Sequence, residues 1–380
     1  MLVLDELYAS HEVLDFLESS KEPVLDNAAA RAYRAAGRDL VIAPLENEPL
    51  PTRVVALSEM HLAEAKRYCA PSVRAAIDLC KDKAAFRRAL APLYPEYTFQ
   101  EATLSELREL DGESLAYPVV LKPTTGFFSL GIYPLFCPDD FTAALKRIEK
   151  ESDVWAHRYN GTVVNDESFI IESYIAGQEY ALDAYFDSDG NAVVLNVLQH
   201  DFADENDTSD RLYFTSRALI EDLLEPMTRF LDKCNELLGF KDFALHPEVR
   251  LLDDGTIIPI EFNPCRFAGL CTTDLSYFAW GIKTYEYFLK GLKPNWDAIL
   301  EGKEGLRYPA ILLTPSRPGD EERTFDYDAL TARFSHPLEI RKVDAPRLGM
   351  FGTAFIEVAE GRWEKEVIPF LSSDLKEFLS

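Results

Sequence analysis

Residues 246–264 read His-Pro-Glu-Val-Arg-Leu-Leu-Asp-Asp-Gly-Thr-Ile-Ile-Pro-Ile-Glu-Phe-Asn-Pro. Two alternating runs flank Asp254-Gly255, a strong short-range hairpin signal. A two-residue turn there pairs residue 253 with 256, and therefore Glu248 with Glu261 and His246 with Asn263. Side chains alternate along strands, so these four share one face. Leu245, Val249, Leu251, Ile258, Ile260 and Phe262 form the other face, directed at a core. Carboxylates opposed across a ladder repel, and at ~5 Å with an effective dielectric of ~20 the cost is roughly 3 kcal/mol. A hard cation removes that cost. Carboxylates with an amide oxygen suit Mg²⁺, which keeps its other positions for water and phosphate oxygens. The pattern also fits a solvated polar face. Pro247 and Pro259 weaken a continuous ladder, and a three-residue turn shifts the pairing by one.

Two further segments carry chemistry. Residues 118–131, Pro-Val-Val-Leu-Lys-Pro-Thr-Thr-Gly-Phe-Phe-Ser-Leu-Gly, put Lys122 at the end of an apolar strand, before a loop with Gly126, Ser129 and Gly131. Such a lysine can act as a point charge on phosphate while glycine lets loop amides approach it. The GxxxxGK[ST] order of a Walker A loop is absent. Lys83, on a helix opening at Asp82, is a second candidate phosphate cation. In residues 169–183 a strand ends at Glu172, the chain turns near Gly177, and a second strand starts at Glu179. That corner can serve a nucleobase through backbone groups and ribose through a carboxylate. Each signal, singly, is matched by a solvated strand end or turn.

The elements around these residues follow from periodicity and punctuation. Short apolar strands (Leu2 to Leu4, Leu40 to Ala43, Val54 to Leu57) alternate with helices (Glu12 to Leu17, Leu62 to Tyr68) over residues 1–80, predicting a small α/β unit. Further on, a helix is expected over Lys81 to Leu90, strands over Tyr117 to Leu121 and Ser168 to Tyr174, and a helix over Phe141 to Lys150. Glu179 to Phe186 and Ala192 to Gln199 form a hairpin, and the polar segment 204–210 reads as a mobile loop. Ile220 to Leu238 is a long amphipathic helix capped by Gly239. Tyr308 to Thr314, Glu339 to Val343 and Ala354 to Val358 are further strands.

Composition bounds the alternatives. The chain has 380 residues, 47% of them hydrophobic, enough to bury a large core over two or three units. A net charge of −26 argues against nucleic-acid binding, which needs clustered Lys and Arg. The acidic N-terminus lacks a signal-peptide pattern, and no apolar run predicts a membrane span. The six cysteines have no CxxC spacing and read as reduced thiols of a cytoplasmic protein.

Taken in order, Asp82-Lys83, the vvlKPxxGxxSxGv run at 119–132, ExYixGxEyxxD at 172–183 and HxE…dG…iEfNP at 246–264 resemble the ATP-grasp superfamily. The HxE variant followed by an arginine looks like its carboxylate–amine ligase branch, which includes amino-acid and peptide ligases. The resemblance covers roughly residues 80 to 285. It implies an α/β (α+β) fold in which two subdomains clamp ATP. Expected units are a short N-terminal domain (1–80), an ATP-grasp domain (81–300, its lid at about 115–185) and a C-terminal mixed α/β lobe (301–380).

The resemblance also implies roles. Lys83 and Lys122 contact the ATP phosphates, under a closing loop that includes Gly126, Ser129 and Gly131. Glu172, with the backbone of Tyr174 and Ile175, holds adenine, and Glu179 holds ribose. Glu248, Glu261 and Asn263 ligate Mg²⁺, or Mn²⁺ in its place. Arg266 sits by the transferring phosphoryl group or the substrate carboxylate, and His246 lies beside the metal. Arg211, after the polar segment, is a further candidate for a substrate carboxylate.

Three positions depart from the pattern: Phe127-Phe128 stand where small residues are common, Cys265 displaces the arginine by one, and the N-terminal unit is short. The expected reaction is ADP-forming ligation of a small carboxylate to an amine through an acyl phosphate. Alternatives are a carboxylating or purine-pathway enzyme, a phosphotransferase, and a nucleotide-binding regulator without turnover. Homodimerisation enters by analogy alone.

Overall fold

The computed structural model describes the chain outside residues 7, 44–49, 125–130, 159–167, 205, 206, 208 and 318, and outside the side chains of 151–158. The predicted loop residues Gly126 and Ser129, with Phe127 and Phe128, lie outside the described residues, as does part of the 204–210 segment.

The first sheet is parallel. Its strands β1 (Leu2–Val3), β2 (Val24–Leu25), β3 (Ile42–Ala43) and β4 (Val55–Ala56) run in the order β3-β2-β1-β4. Helices His11–Ser20 and Ala28–Ala35 connect them, each started by a side chain (Ser10, Asn27) that accepts an otherwise orphaned backbone N–H. Strand β2 escapes sequence reading because only two apolar residues follow Pro23. Ligands of parallel α/β sheets gather at the carboxyl ends of strands, and β4 leads directly into Ser58, Glu59 and Met60 at the cavity described below.

A second sheet holds β5 (Phe99–Thr103), β6 (Val119–Pro123), β7 (Tyr133–Leu135) and β8 (Ser168–Ser173) in the order β5-β8-β6-β7. Helix Pro138–Arg158 is part of the same unit. Leu107, Val119, Leu121, Tyr133, Leu135, Phe141, Ile148, Phe169 and Ile171 give it a core of its own.

The largest sheet contains β9 (Gln178–Phe186), β10 (Ala192–Asp201), β11 (Leu212–Ser216), β12 (Phe243–Leu251), β13 (Ile257–Pro264), β14 (Leu306–Leu312), β15 (Pro337–Lys342), β16 (Gly352–Ile356) and β17 (Val358–Ala359). Its order is β13-β12-β9-β10-β11-β14-β16-β15, with β17 also on β14. Helix Arg217–Leu238 starts on the Ser216 hydroxyl and ends at Gly239 in the left-handed region (φ 67°). It buries Ile220, Met227, Leu231 and Cys234 in a core shared with the N-terminal sheet. Strands from residues 301–380 therefore extend this sheet rather than forming a sheet of their own, although they bury a separate cluster around Phe351 and Trp363. Among the described residues no helix is long and apolar enough to cross a membrane.

Candidate active site

The β12–β13 hairpin differs from the predicted one in two places that cancel. Its loop has three residues between Leu252 and Thr256, whose backbones hydrogen-bond at 2.9 Å, and Gly255 takes the positive φ (85°) this loop requires. Leu251 therefore faces Ile257 and Val249 faces Pro259, one residue off the expected register. A bulge at Ile260 then restores it, so Glu248 faces Glu261 and His246 faces Asn263. The core face is corrected accordingly. Ile257 is buried where Ile258 was expected, and Ile260 lines the cavity instead of the core.

That cavity measures about 660 Å³ and lies between the sheets. Lys83, Lys122, His246, Glu248, Glu261, Asn263 and Arg266 all reach it. Asp82 caps the helix Lys83–Leu90 by accepting from Ala85 N–H, which fixes where Lys83 enters. The Lys83 backbone N–H also bonds the Thr124 carbonyl (3.0 Å), tying that helix to the end of β6, where Lys122 projects.

Charges alternate across the pocket. Lys83 Nζ lies 2.9 Å from Glu261, and Lys122 Nζ lies 2.6 Å from Glu172. Burial alone would raise the Glu261 carboxyl, but the ammonium groups of Lys83, Lys122 and Lys81 hold it far below the usual range. Glu248 behaves oppositely. Burial, then the field of Glu261, Glu179 and Asp210, pushes its carboxyl well above the usual range. Among the described residues its direct hydrogen bond comes from the Asn263 amide (2.9 Å).

This all-oxygen donor set of two carboxylates and an amide fits a hard divalent cation. Among the described residues no three His, Cys, Asp or Glu side chains converge as a complete metal cage. Two carboxylates and an amide oxygen form a partial set of the kind through which Mg²⁺ would bind, its other positions left to water or phosphate oxygens. Glu248, Glu261 and Asn263 are the residues that would hold it.

Arg266 reaches the cavity despite its displacement. Cys265 adopts a left-handed conformation (φ 51°) and is fully buried, its carbonyl accepting from Ala56 N–H (2.7 Å). The next side chain thereby turns into the pocket, where Arg266 pairs with Glu59 (3.1 Å). Glu59, which also pairs with Lys81, was not legible in sequence, because it lies on the short turn Glu59–His61 after β4, 207 residues away. His246 Nδ1 lies 2.9 Å from Asp183, a fully buried carboxylate that also accepts from Ala268 N–H and Thr273.

Other predicted residues stand elsewhere. Glu172 sits behind the cavity wall, and both its oxygens are engaged by Arg87 and Lys122. Its carboxyl, which burial would raise, is held down to about 2 by those cations. The Glu172 side chain, expected to face a nucleobase, is therefore committed to Arg87 and Lys122 instead. Tyr174 and Ile175 form the crossing from β8 to β9, with Tyr174 N–H bonded to the Pro118 carbonyl (3.1 Å). Glu179 is likewise off the wall, between His200 (2.9 Å) and Arg250 (2.8 Å).

Arg211 requires a correction. Its guanidinium donates to the carbonyls of Thr314 and Ser373 (both 3.0 Å), so it fastens the C-terminal segment and does not face a substrate. Two positions further on, Tyr213 does reach the cavity and donates to Asp210 (2.9 Å), another wall carboxylate. Burial raises the Asp210 carboxyl, against the pull of His200. Gly131, expected at the end of a phosphate loop, has φ 73°, a backbone state suited to glycine.

Residues 115–274 match the family described as the ATP-grasp domain. No curated protein matches the sequence significantly. Among solved structures, the L-amino acid ligase from Bacillus licheniformis is similar over 100% of this chain and 97% of its own, with a TM-score of 0.67 at 18% identity. The N5-carboxyaminoimidazole synthase from Aspergillus clavatus, in complex with ADP and an aminoimidazole ribonucleotide, covers 99% and 98% with a TM-score of 0.63 at 16% identity. Biotin carboxylase from Campylobacter jejuni, in a β,γ-ATP complex, covers 94% and 87% with a TM-score of 0.60 at 13% identity. At such identities the likeness is one of fold.

Proposed function

We propose that this chain, whose residues 115–274 match the ATP-grasp domain, is an ADP-forming carboxylate–amine ligase acting on a small carboxylic acid such as an amino acid. The observation that carries the reading is Glu248 facing Glu261 beside Asn263, in one cavity with Lys83, Lys122 and Arg266. That face and those cations suit a triphosphate whose terminal phosphorus must meet an oxygen nucleophile.

In the first step a substrate carboxylate oxygen attacks the γ-phosphorus, the bond to the β-phosphate oxygen breaks, and ADP leaves an acyl phosphate. Lys83 and Lys122 neutralise phosphate charge, and Arg266 steadies the entering carboxylate. Bound Mg²⁺, or Mn²⁺, would add charge neutralisation at the phosphate oxygens. In the second step an amine attacks the acyl carbon and phosphate departs. An amine that arrives as ammonium must first shed a proton, and Asp210, held by Tyr213, is the wall carboxylate we assign to receive it. The wall beyond Arg266 includes Met60, Leu270, Leu312, Pro346 and Leu348, apolar side chains suited to a substrate side chain. Buried free thiols support a reducing, cytoplasmic setting.

A carboxylating reaction would use bicarbonate in the first step and shares the same machinery. ADP release measured against pooled carboxylic acids, amino acids and bicarbonate, with mass spectrometry of the product, separates the two. An amide product with stoichiometric phosphate is expected. Release dependent on bicarbonate alone would replace the ligase reading, a stable phosphorylated product would indicate a phosphotransferase, and ATP binding without turnover would indicate a regulator.

A further inference from the structure

Arg87, on the helix Lys83–Leu90, is only 5% exposed and does not itself line the cavity. Its guanidinium is nonetheless almost fully used. Nε donates to one Glu172 oxygen (2.7 Å) and one terminal nitrogen reaches the other (3.3 Å). The same terminal nitrogen donates to the Ile260 carbonyl (2.7 Å), the second donates to the Pro259 carbonyl, and the plane lies over the Tyr97 ring (4.8 Å). Glu172 in turn holds Lys122 at 2.6 Å.

We infer that Arg87 is a positioning residue of the nucleotide site: anchored on the bulge of β13, it fixes Glu172 so that Glu172 aims the Lys122 ammonium at the phosphates. The inference rests on the nucleotide site proposed above.

Charge balance does not account for the arrangement. Glu172 and Lys122 alone would be a neutral pair, and burying another cation carries a desolvation cost. What the arginine adds is geometry. A planar fork constrains a carboxylate in two directions, whereas a lone ammonium leaves it free to rotate. The fork also needs a rigid footing. Ile260 is the residue left unpaired by the bulge, so its carbonyl requires a donor from elsewhere, and Arg87 supplies it. The small sheet, which carries Glu172 and Lys122, is thereby keyed to the strand that carries Glu261. A lysine at position 87 would keep the charge and lose both the fork and the simultaneous reach to the bulge.

The test is calorimetric binding of AMP-PNP with Mg²⁺ to the full-length wild type, Arg87→Lys, Lys122→Met and the double variant. If Arg87 acts through Lys122, Arg87→Lys weakens binding by about tenfold in the wild-type background and less than about twofold once Lys122 is gone. Equal losses in both backgrounds, or no loss in either, would overturn the inference. Glu172→Gln runs as a parallel variant with the same expected pattern, and it carries the comparison should Arg87→Lys not fold. A wild type that fails to bind AMP-PNP sinks the nucleotide site itself, an outcome distinct from bound wild type with indifferent variants.

Discussion

At the scale of single residues, the site is a set of charges with mutually dependent protonation. Glu261 is kept ionised by lysines, while Glu248, facing it, is driven toward its neutral form. Glu261→Ala should reduce Mg²⁺-dependent ADP release by at least ~100-fold. Its circular dichroism and melting temperature should stay near wild type, since the change also relieves repulsion on Glu248. Undiminished turnover would remove the metal assignment. Asp210 is tested by pH. Asp210→Asn should lower kcat by roughly 10²-fold near neutrality. The deficit should narrow as pH rises and the amine loses its proton in solution, and a deficit constant with pH would leave Asp210 a structural role alone. Lys83, Lys122, Glu248, Glu261 and Asn263 were legible because each lies in a short motif at the end of an element. Glu59 and Asp210 were not, because their places depend on how separate sheets meet.

At the scale of elements, turns and bulges govern where those residues point. The hairpin was expected from Asp254-Gly255, yet its extra loop residue and the bulge at Ile260 shift the register in opposite senses. Alternation alone could not show this, because backbone hydrogen bonding at a bulge leaves little mark on side-chain type. The corner between β8 and β9 is stricter. Gly177 has φ 101°, and a Cβ there would stand 2.3 Å from the Leu251 carbonyl oxygen. Gly177→Ala should cost about 3 kcal/mol, from backbone strain together with the clash, measured by urea unfolding. A loss below about 1 kcal/mol would show that the corner relaxes readily. The long helix Arg217–Leu238 was read to its C-terminal end from its amphipathic period and Gly239, while its start, on the Ser216 cap, lies three residues before the expected Ile220.

At the scale of the whole molecule, Arg341 joins three parts of the chain. It donates to the Cys271 carbonyl (2.8 Å), to Asp274 (2.9 Å) after the site hairpin, and to Glu12 (3.1 Å) of the N-terminal unit. Burial dominates at Asp274 and, against the attraction of Arg341, pushes its carboxyl up to about 6. A carboxyl titrating near 6 when folded and near ~4 when unfolded binds more protons in the native state between those values. Stability should therefore fall by about 3 kcal/mol as pH rises from ~4 to ~6 and lose nothing further from this group above that. Denaturant unfolding across this range should show the slope in the wild type and a flatter profile in Asp274→Asn. Equal slopes would mean that the ion pair with Arg341 already keeps Asp274 charged.

The sequence by itself determined the order of the motifs and the helix ends at Asp82 and Gly239, since each follows from residues close together in the chain, whereas Glu248 came to face Glu261 because the bulge at Ile260 offsets the longer loop. Tertiary structure alone decided which cations meet which carboxylates. Only the packed sheets show that Arg266 turns to Glu59, that Arg87 stands behind Glu172, and that Arg211 fastens the C-terminal segment instead of facing a substrate. The reason is physical. Local propensity and alternation act over a few residues, whereas an ion pair such as Arg266 with Glu59 is set by how separate sheets come together across 207 residues of chain.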